Sequence, residues 1–292
     1  MYHPGLHRFA APARPRAEGW RTALGLIGVT VIYLAAVYGT MGVVATQIGE
    51  LRFTRLVLEM AAGSTPQGLT TLLASFAPLG LAVIFVTRAL HGRSAGGLFG
   101  PGAARDFGRT MLPLGALLMG MAPLAVLDSN VFRATPLGTV LAWLPLALPL
   151  LMVQIGAEEL LFRGYLLQQI AARNPNPIAW MLLPSALFGA LHYAPAEFGT
   201  NAIWPVLWAF AFGCFCADLT ARAGNLGPAL ALHFLTNLSS MLIVGLYGNL
   251  DGLALYTLVI NTRDAAALGP YLAIDFVAML AAWAAARLML RL

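Results

Sequence analysis

Long apolar runs alternate with short polar segments along the whole chain. A helix needs about 20 apolar residues to cross the roughly 30 Å hydrocarbon core of a bilayer, and eight runs of suitable length occur. The pattern therefore predicts an all-α fold, a polytopic membrane helix bundle with about eight transmembrane helices. The predicted spans are residues 22–46, 68–87, 110–127, 137–162, 177–193, 202–219, 227–247 and 270–290.

Composition excludes a soluble protein. Of the 292 residues, 59% are hydrophobic and only 10% are charged, whereas soluble domains have about 45–50% apolar and about 25% charged residues.

The sequence divides the chain into four parts. These are a poorly ordered cytoplasmic tail, helices without a recognisable motif, a core that carries the polar motifs, and an outer loop with the last helix. Their bounds are 1–20, 21–136, 137–247 and 248–292.

The basic residues indicate the orientation of the bundle. The net charge is +5, and all 17 basic residues are arginine. With the N-terminus inside, twelve arginines fall in inner segments and four in outer ones, and Arg163, at a span end, belongs to neither. This bias follows the positive-inside rule. We therefore expect cytoplasmic termini, a multi-pass protein of the cell's inner (plasma) membrane, and no nucleic-acid partner.

Ionisable side chains in a bilayer are functional candidates, because each costs about 2.5–3.5 kcal/mol on insertion scales. Glu158, Glu159 and Arg163 form the first such cluster, at the end of a long apolar run. Glu159 and Arg163 are four residues apart, so they share a helix face and are predicted to form an ion pair. Glu158 points about 100° away and lacks this partner.

His192 is the second candidate. It lies four residues after Phe188, on the same helix face. The turn between the fourth and fifth spans centres near Pro175, with Glu158 17 residues before it and His192 17 residues after it. In an antiparallel hairpin this symmetry places both side chains at one depth. We therefore expect Glu158 and His192 to meet; a histidine held only by core packing is the structural alternative.

His233 and Asn237 are the third candidate, four residues apart in the seventh span. A carboxylate facing an imidazole can hold a water molecule and remove its proton, and a histidine with an asparagine can stabilise an oxyanion. The chain has no Gly-x-Ser-x-Gly motif and no Ser or Cys beside these histidines, which disfavours a nucleophile-based hydrolase. Asp275, in the eighth span, is interpreted as a polar contact between helices.

Three motifs occur in order: Glu158-Glu159-x-x-x-Arg163, Phe188-x-x-x-His192 and His233-x-x-x-Asn237. Together they resemble the signature of the CPBP intramembrane proteases, also called the ABI or CAAX-protease family, over residues 140–245. The resemblance implies an eight-helix bundle with a catalytic cavity open to the cytoplasm. It also implies an endopeptidase that cleaves near the end of a membrane-associated peptide or protein.

The resemblance assigns a role to each motif residue. Glu158 and His192 would activate the water, and His233 with Asn237 would stabilise the oxyanion, while Glu159 and Arg163 would support the site. Glu158, His192 and His233 could also supply three ligands of a catalytic zinc ion. The chain has no H-E-x-x-H motif, and Asn237 suits an oxyanion better than zinc. A site without a cofactor is therefore favoured, with zinc as the alternative.

Two other functions could use the same polar groups. A proton-coupled transporter also places them in mid-membrane, but it usually has broken helices in two repeated halves. Here all three motifs fall in one half of the chain. A non-catalytic scaffold would use the groups only to join helices. It predicts that Glu158→Gln alters stability alone, whereas the protease predicts loss of cleavage in a folded protein.

Overall fold

The structure, a computed structural model, describes residues 4–291, so the first three residues of the predicted tail lie outside it. The described chain is almost entirely helical. The α-helices are α1 (Pro4–Ala10), α2 (Gly19–Ile48), α3 (Glu50–Ala62), α4 (Pro66–Ala74), α5 (Ala77–His91), α6 (Gly96–Phe99), α7 (Ala103–Ala125), α8 (Leu137–Glu159), α9 (Gln168–Arg173), α10 (Leu183–Ala190), α11 (Pro195–Phe198), α12 (Ile203–Ala223), α13 (Gly227–Leu238) and α14 (Ala265–Leu290).

Shorter elements complete the described fold. Two 3-10 helices cover Ala11–Arg16 and Gly199–Ala202, and three π-helices cover Leu160–Leu167, Ile178–Leu182 and Ser239–Ile243. Three short strands, β1 (Val131–Arg133), β2 (Val244–Leu246) and β3 (Tyr256–Leu258), form a small sheet. Strand β3 lies in its centre, antiparallel to β1 and parallel to β2. The all-α prediction missed this sheet, because strands of three residues leave no periodic pattern.

The helical, multi-pass class of the fold is confirmed. Each predicted span coincides with a helical segment, and five segments of the described chain are long and apolar enough to cross a bilayer. The fifth and seventh spans correspond to shorter apolar helices, while α7, in the third span, begins with charged residues. The count of eight crossings and the cytoplasmic location of the termini stay predictions.

Backbone hydrogen bonds between loops identify the two ends of the helix bundle. At one end, the amide of Leu226 donates a hydrogen bond to the carbonyl of Phe99 at 2.8 Å. At the other, the amide of Leu250 donates to the carbonyl of Ala62, also at 2.8 Å. The first end contains the segments predicted to be inside and the second those predicted to be outside. We name them the inner end and the outer end after that prediction.

The N-terminal segment is ordered and packs on the inner end. Helix α1 and the 3-10 helix after it bury Leu6, Phe9 and Ala13. The prediction of a poorly ordered tail was wrong for these residues, because it weighed the prolines and arginines above this apolar face. Gly5 lies so close to α12 that a Cβ there would be 2.2 Å from the carbonyl oxygen of Arg222.

Helix α13 lies in the centre of the bundle, and its residues from Gly227 to Leu235 are all buried. It packs directly on the first turn of α7. A Cβ at Gly227 would lie 2.3 Å from the carbonyl oxygen of Ala103 and 2.7 Å from the amide nitrogen of Phe107. Only glycine therefore permits this approach between the two backbones.

We expect Gly227→Ala to lower the free energy of unfolding by about 1–3 kcal/mol, because the added methyl group forces α13 away from α7. Gly108→Ala, within α7, is the matched control, since a Cβ there meets nothing within 4 Å. Denaturant titration of the two purified variants in detergent measures the difference. Equal stability of the two variants would contradict the close packing of α13 on α7.

Candidate active site

The polar side chains of α8 face those of α13 in two successive layers. In the first, His233 of α13 contacts both Glu158 and Glu159 of α8. In the second, one helical turn nearer the outer end, Asn237 donates a hydrogen bond to the side-chain oxygen of Gln154 at 3.0 Å. Because the residues on each helix are about four apart, the two antiparallel helices present matching polar faces. The α8–α13 pair therefore forms the polar centre of the bundle.

Glu159 and Arg163 form the predicted ion pair, with 2.7 Å between Arg163 Nη1 and Glu159 Oε1. Both side chains are almost completely buried. Arg163 Nη2 also donates to the carbonyl oxygen of Gly213 at 3.2 Å, and its guanidinium carbon lies 4.9 Å from the ring centroid of Phe188. A buried arginine with these partners joins α8, α10 and α12 around one carboxylate. The predicted pairing is confirmed.

His233 is held between the two carboxylates. Its Nδ1 is 2.8 Å from Glu159 Oε1, the oxygen that already accepts from Arg163, and its Nε2 is 3.5 Å from Glu158 Oε2. Because a carboxylate paired with arginine accepts hydrogen bonds, Nδ1 carries the proton and Nε2 faces Glu158. The Glu158 side chain is 15% exposed and that of Glu159 is 0% exposed. Glu158 is therefore the more accessible of the two carboxylates.

Aromatic rings enclose the imidazole of His233. The edge-on ring centroids of Phe188 and Phe212 lie 6.0 and 5.0 Å from it. Trp208 stacks on Phe212, with 5.4 Å between the ring centroids, and Asp275 of α14 lies near the side chain of Trp208 without forming a regular hydrogen bond to it. The interpretation of Asp275 as a polar contact between helices fits this position. The two rings beside the imidazole, with Trp208 behind one of them, keep water away from the buried ion pair.

Gln154 belongs to the site, and sequence reasoning missed it. Its side chain is buried, and its Oε1 accepts the hydrogen bond from Asn237. The available signal was its spacing, since it lies four residues before Glu158 in an otherwise apolar run. A glutamine carries no charge, so the search for ionisable groups passed over it.

His192 and Glu158 do not meet in this structure, contrary to the prediction. His192 follows the end of α10 at Ala190, is exposed, and bonds through Nδ1 to the carbonyl oxygen of Phe188 at 2.8 Å. Its ring also packs on Phe188, with 4.7 Å between the centroids, as its spacing predicts. Among the described residues, the side-chain partner of Glu158 is His233.

Helix geometry explains why the hairpin symmetry failed. Both arms contain π-helical segments, Leu160–Leu167 before the turn and Ile178–Leu182 after it. A π-helix bonds residue i to i+5 and places more residues in each turn than an α-helix. In addition, α10 ends at Ala190, two residues before His192, so the regular helical rise that the symmetry assumes does not extend to this side chain.

The conditional zinc ligands, Glu158, His192 and His233, are not gathered around one point. Within residues 4–291, no three His, Cys, Asp or Glu side chains are arranged to hold a metal ion. His233 has both ring nitrogens facing carboxylates, and His192 lies beyond Phe188. The observed geometry thus supports contacts among the acids and His233 in place of a three-ligand metal site.

The fold and the site together define a multi-pass helical membrane protein with a buried centre of glutamate, histidine and asparagine. Residues 139–239 match the family described as type II CAAX prenyl endopeptidase, Rce1-like. The matched segment contains all but the first two residues of α8, the π-helix after it, α10, α12 and α13, and so every motif residue. The resemblance to the CAAX-protease family is confirmed over this segment.

One curated relative comes from Bacillus subtilis (strain 168) and is named uncharacterized protein YyaK. It is 32% identical over 111 residues. The aligned part is 37% of this chain and 37% of the relative, so the match spans well under half of either protein. No solved structure matches this chain.

We expect Arg163→Gln to reduce the free energy of unfolding by about 3–5 kcal/mol, because it leaves the buried Glu159 carboxylate without its cation. Arg55→Gln is the matched control: Arg55 also pairs with a glutamate four residues away, Glu59, but its side chain is 80% exposed. Denaturant titration in detergent compares the two variants. Similar losses in both would show that the buried pair does not hold the helices together.

Proposed function

We propose that this chain is an intramembrane endopeptidase of the inner (plasma) membrane. It would hydrolyse a peptide bond near the end of a membrane-associated peptide or protein. The observation that carries the proposal is His233, held between Glu158 and Glu159 beside Asn237, within a segment that matches an endopeptidase family. No cofactor is needed for the chemistry proposed below.

Glu158 is the proposed general base. With the proton of His233 on Nδ1, the free lone pair of Nε2 and the carboxylate of Glu158 are two acceptors 3.5 Å apart. A water molecule that donates one hydrogen to each would satisfy both groups. Glu158 then takes a proton as the water oxygen attacks the carbonyl carbon of the substrate. It returns this proton to the leaving amine when the C–N bond breaks.

Asn237 and Glu159 complete the proposed mechanism in different ways. The amide nitrogen of Asn237 has two hydrogens and gives one to Gln154, so the second can stabilise the developing oxyanion. His233, which the resemblance also assigned to the oxyanion, is proposed instead to hold the water, because its N–H faces Glu159. Glu159, held by Arg163, fixes the orientation and tautomer of His233. This second role is a positioning one, because Glu159 lies fully buried behind the imidazole.

His192 remains part of the proposal as a group at the exposed side of the site. The Phe188 ring lies between it and His233, with centroids 4.7 and 6.0 Å from the two imidazoles. Its proposed role in water activation requires the turn after α10 to move toward Glu158 when substrate binds.

The rival function is a scaffold that uses the α8–α13 contacts only to join helices. The cleavage experiment described next distinguishes the protease from this scaffold.

We expect Glu158→Gln to abolish cleavage while the protein stays folded, because glutamine cannot accept the proton from water. Protein termini in membranes of the native host are compared between cells carrying the wild type and cells carrying the variant at equal expression. Glu50→Gln is the control, since Glu50 is exposed at the outer end. Cut sites found with the wild type and this control alone would also identify the substrate.

A zinc chelator added in the same experiment tests whether cleavage depends on a bound zinc ion. Cleavage that survives the chelator supports the proposed metal-free mechanism, and cleavage that stops supports zinc. Identical termini in all strains, with every variant folded, would reject the protease and favour the scaffold.

We expect Gln154→Ala to lower kcat for the identified substrate roughly ten- to a hundredfold with little change in KM. Asn237 loses the partner that orients its amide, and a small misplacement of a catalytic group reduces the rate steeply. Gln47→Ala, at an exposed position of α2, is the control. An increase in KM alone would assign Gln154 to substrate binding and contradict the positioning role.

A further inference from the structure

Arginines converge on a cavity at the inner end of the bundle, apart from the candidate active site. It encloses about 790 Å³ between α1, α7, α12 and the end of α14. Five arginines and one aspartate supply its charged lining. The arginines are Arg8, Arg105, Arg109, Arg222 and Arg291.

Within residues 4–291, only two of these arginines form ion pairs with acidic residues. Arg105 pairs with Asp106 at 2.9 Å, and Arg222 pairs with Asp218 at 2.7 Å. Arg8, Arg109 and Arg291 form no ion pair in the part of the chain that the structure describes, although Asp106 also attracts Arg109 at longer range, and all three arginines are exposed. Among the described side chains, two carboxylates, Asp106 and Asp218, face five arginines, so the cavity carries an excess of positive charge.

The positive-inside rule does not account for this convergence. That rule requires arginines on one side of the membrane and is indifferent to where they lie within that side. Here they come from four separate segments of the chain and line the same space, although like charges repel. An anion bound among them would remove this repulsion.

The remaining lining identifies the kind of anion. Pro113, Met289 and Leu290 give the cavity an apolar side. The residues next to them, Leu112 and Leu288, are 78% and 80% exposed on the surfaces of two helices from the predicted spans. A ligand that meets both parts has a charged group at the membrane interface and an apolar part along α7 and α14. This is the chemistry of a phospholipid.

We propose that the cavity binds the phosphate group of an anionic membrane phospholipid at the inner end. The phosphate would lie among Arg8, Arg109 and Arg291, and the acyl chains would follow α7 and α14. This site is independent of the proposed protease activity. It does adjoin the helix that carries His233, because Asp106 of the cavity accepts a hydrogen bond from Asn225 at 2.8 Å, just before α13.

The test measures lipid binding to the full-length protein in detergent. The probes are short-chain phosphatidylglycerol and the zwitterionic phosphatidylcholine, titrated into the wild type and into the double variant Arg8→Gln/Arg109→Gln. The control Arg52→Gln/Arg88→Gln removes the same charge from exposed arginines outside the cavity, and Arg88 is also at the inner end. Unfolding temperatures verify that both variants are folded.

We expect the wild type to prefer phosphatidylglycerol, and the cavity variant to bind it about thirtyfold more weakly, since each basic residue near a membrane surface contributes about 1 kcal/mol. The control variant should keep the affinity of the wild type. Equal binding of the two lipids, or an equal loss in both variants, would overturn the proposal. Inorganic phosphate that binds as tightly as phosphatidylglycerol would also overturn it, in favour of a soluble ligand.

Discussion

The buried contact of Arg163 with Glu159 is the interaction on which the site depends. Two charges with almost no exposure to solvent are costly to bury, and their mutual attraction offsets this cost. Here one carboxylate oxygen receives both Arg163 and His233, at 2.7 and 2.8 Å. The ion pair therefore fixes the imidazole that faces Glu158. Any movement of α13 relative to α8 would separate His233 from this oxygen.

Small residues make the close packing around the ion pair feasible. A Cβ at Gly189 would lie 2.7 Å from the carbonyl oxygen of Val206, and one at Gly213 would lie 2.9 Å from Cβ of Ser185. Glycine at these two positions lets α10 and α12 approach each other, as small residues do in membrane bundles. That approach places the ring of Phe188 over Arg163. The close approach of α10 and α12 thus accounts both for the aromatic rings beside His233 and for the hydrogen bond from Arg163 to α12.

How much the sequence could predict depends on whether a contact lies within one helix or between two. The Glu159–Arg163 pair follows from spacing alone, and so do the shared faces of Phe188 with His192 and of His233 with Asn237. Contacts between helices were harder, because the π-helical turns on both sides of residue 175 change the height of each side chain. The predicted contact of His192 with Glu158 is therefore absent from this structure, and Gln154 was passed over for lack of charge.

At the inner end, the positions of the arginines in the fold indicate more about function than the number of arginines on that side of the membrane. In the sequence, Arg8, Arg109 and Arg291 serve only to orient the helices, and any position on that side would suffice. In the fold they line one cavity, which Asp106 and Asn225 connect to the first residue of α13, since Asn225 Oδ1 accepts from the amide of Gly227 at 2.9 Å. Gly227 packs directly on α7, and His233 follows it on the same helix. The position of the imidazole thus depends on contacts at both ends of this short helical segment.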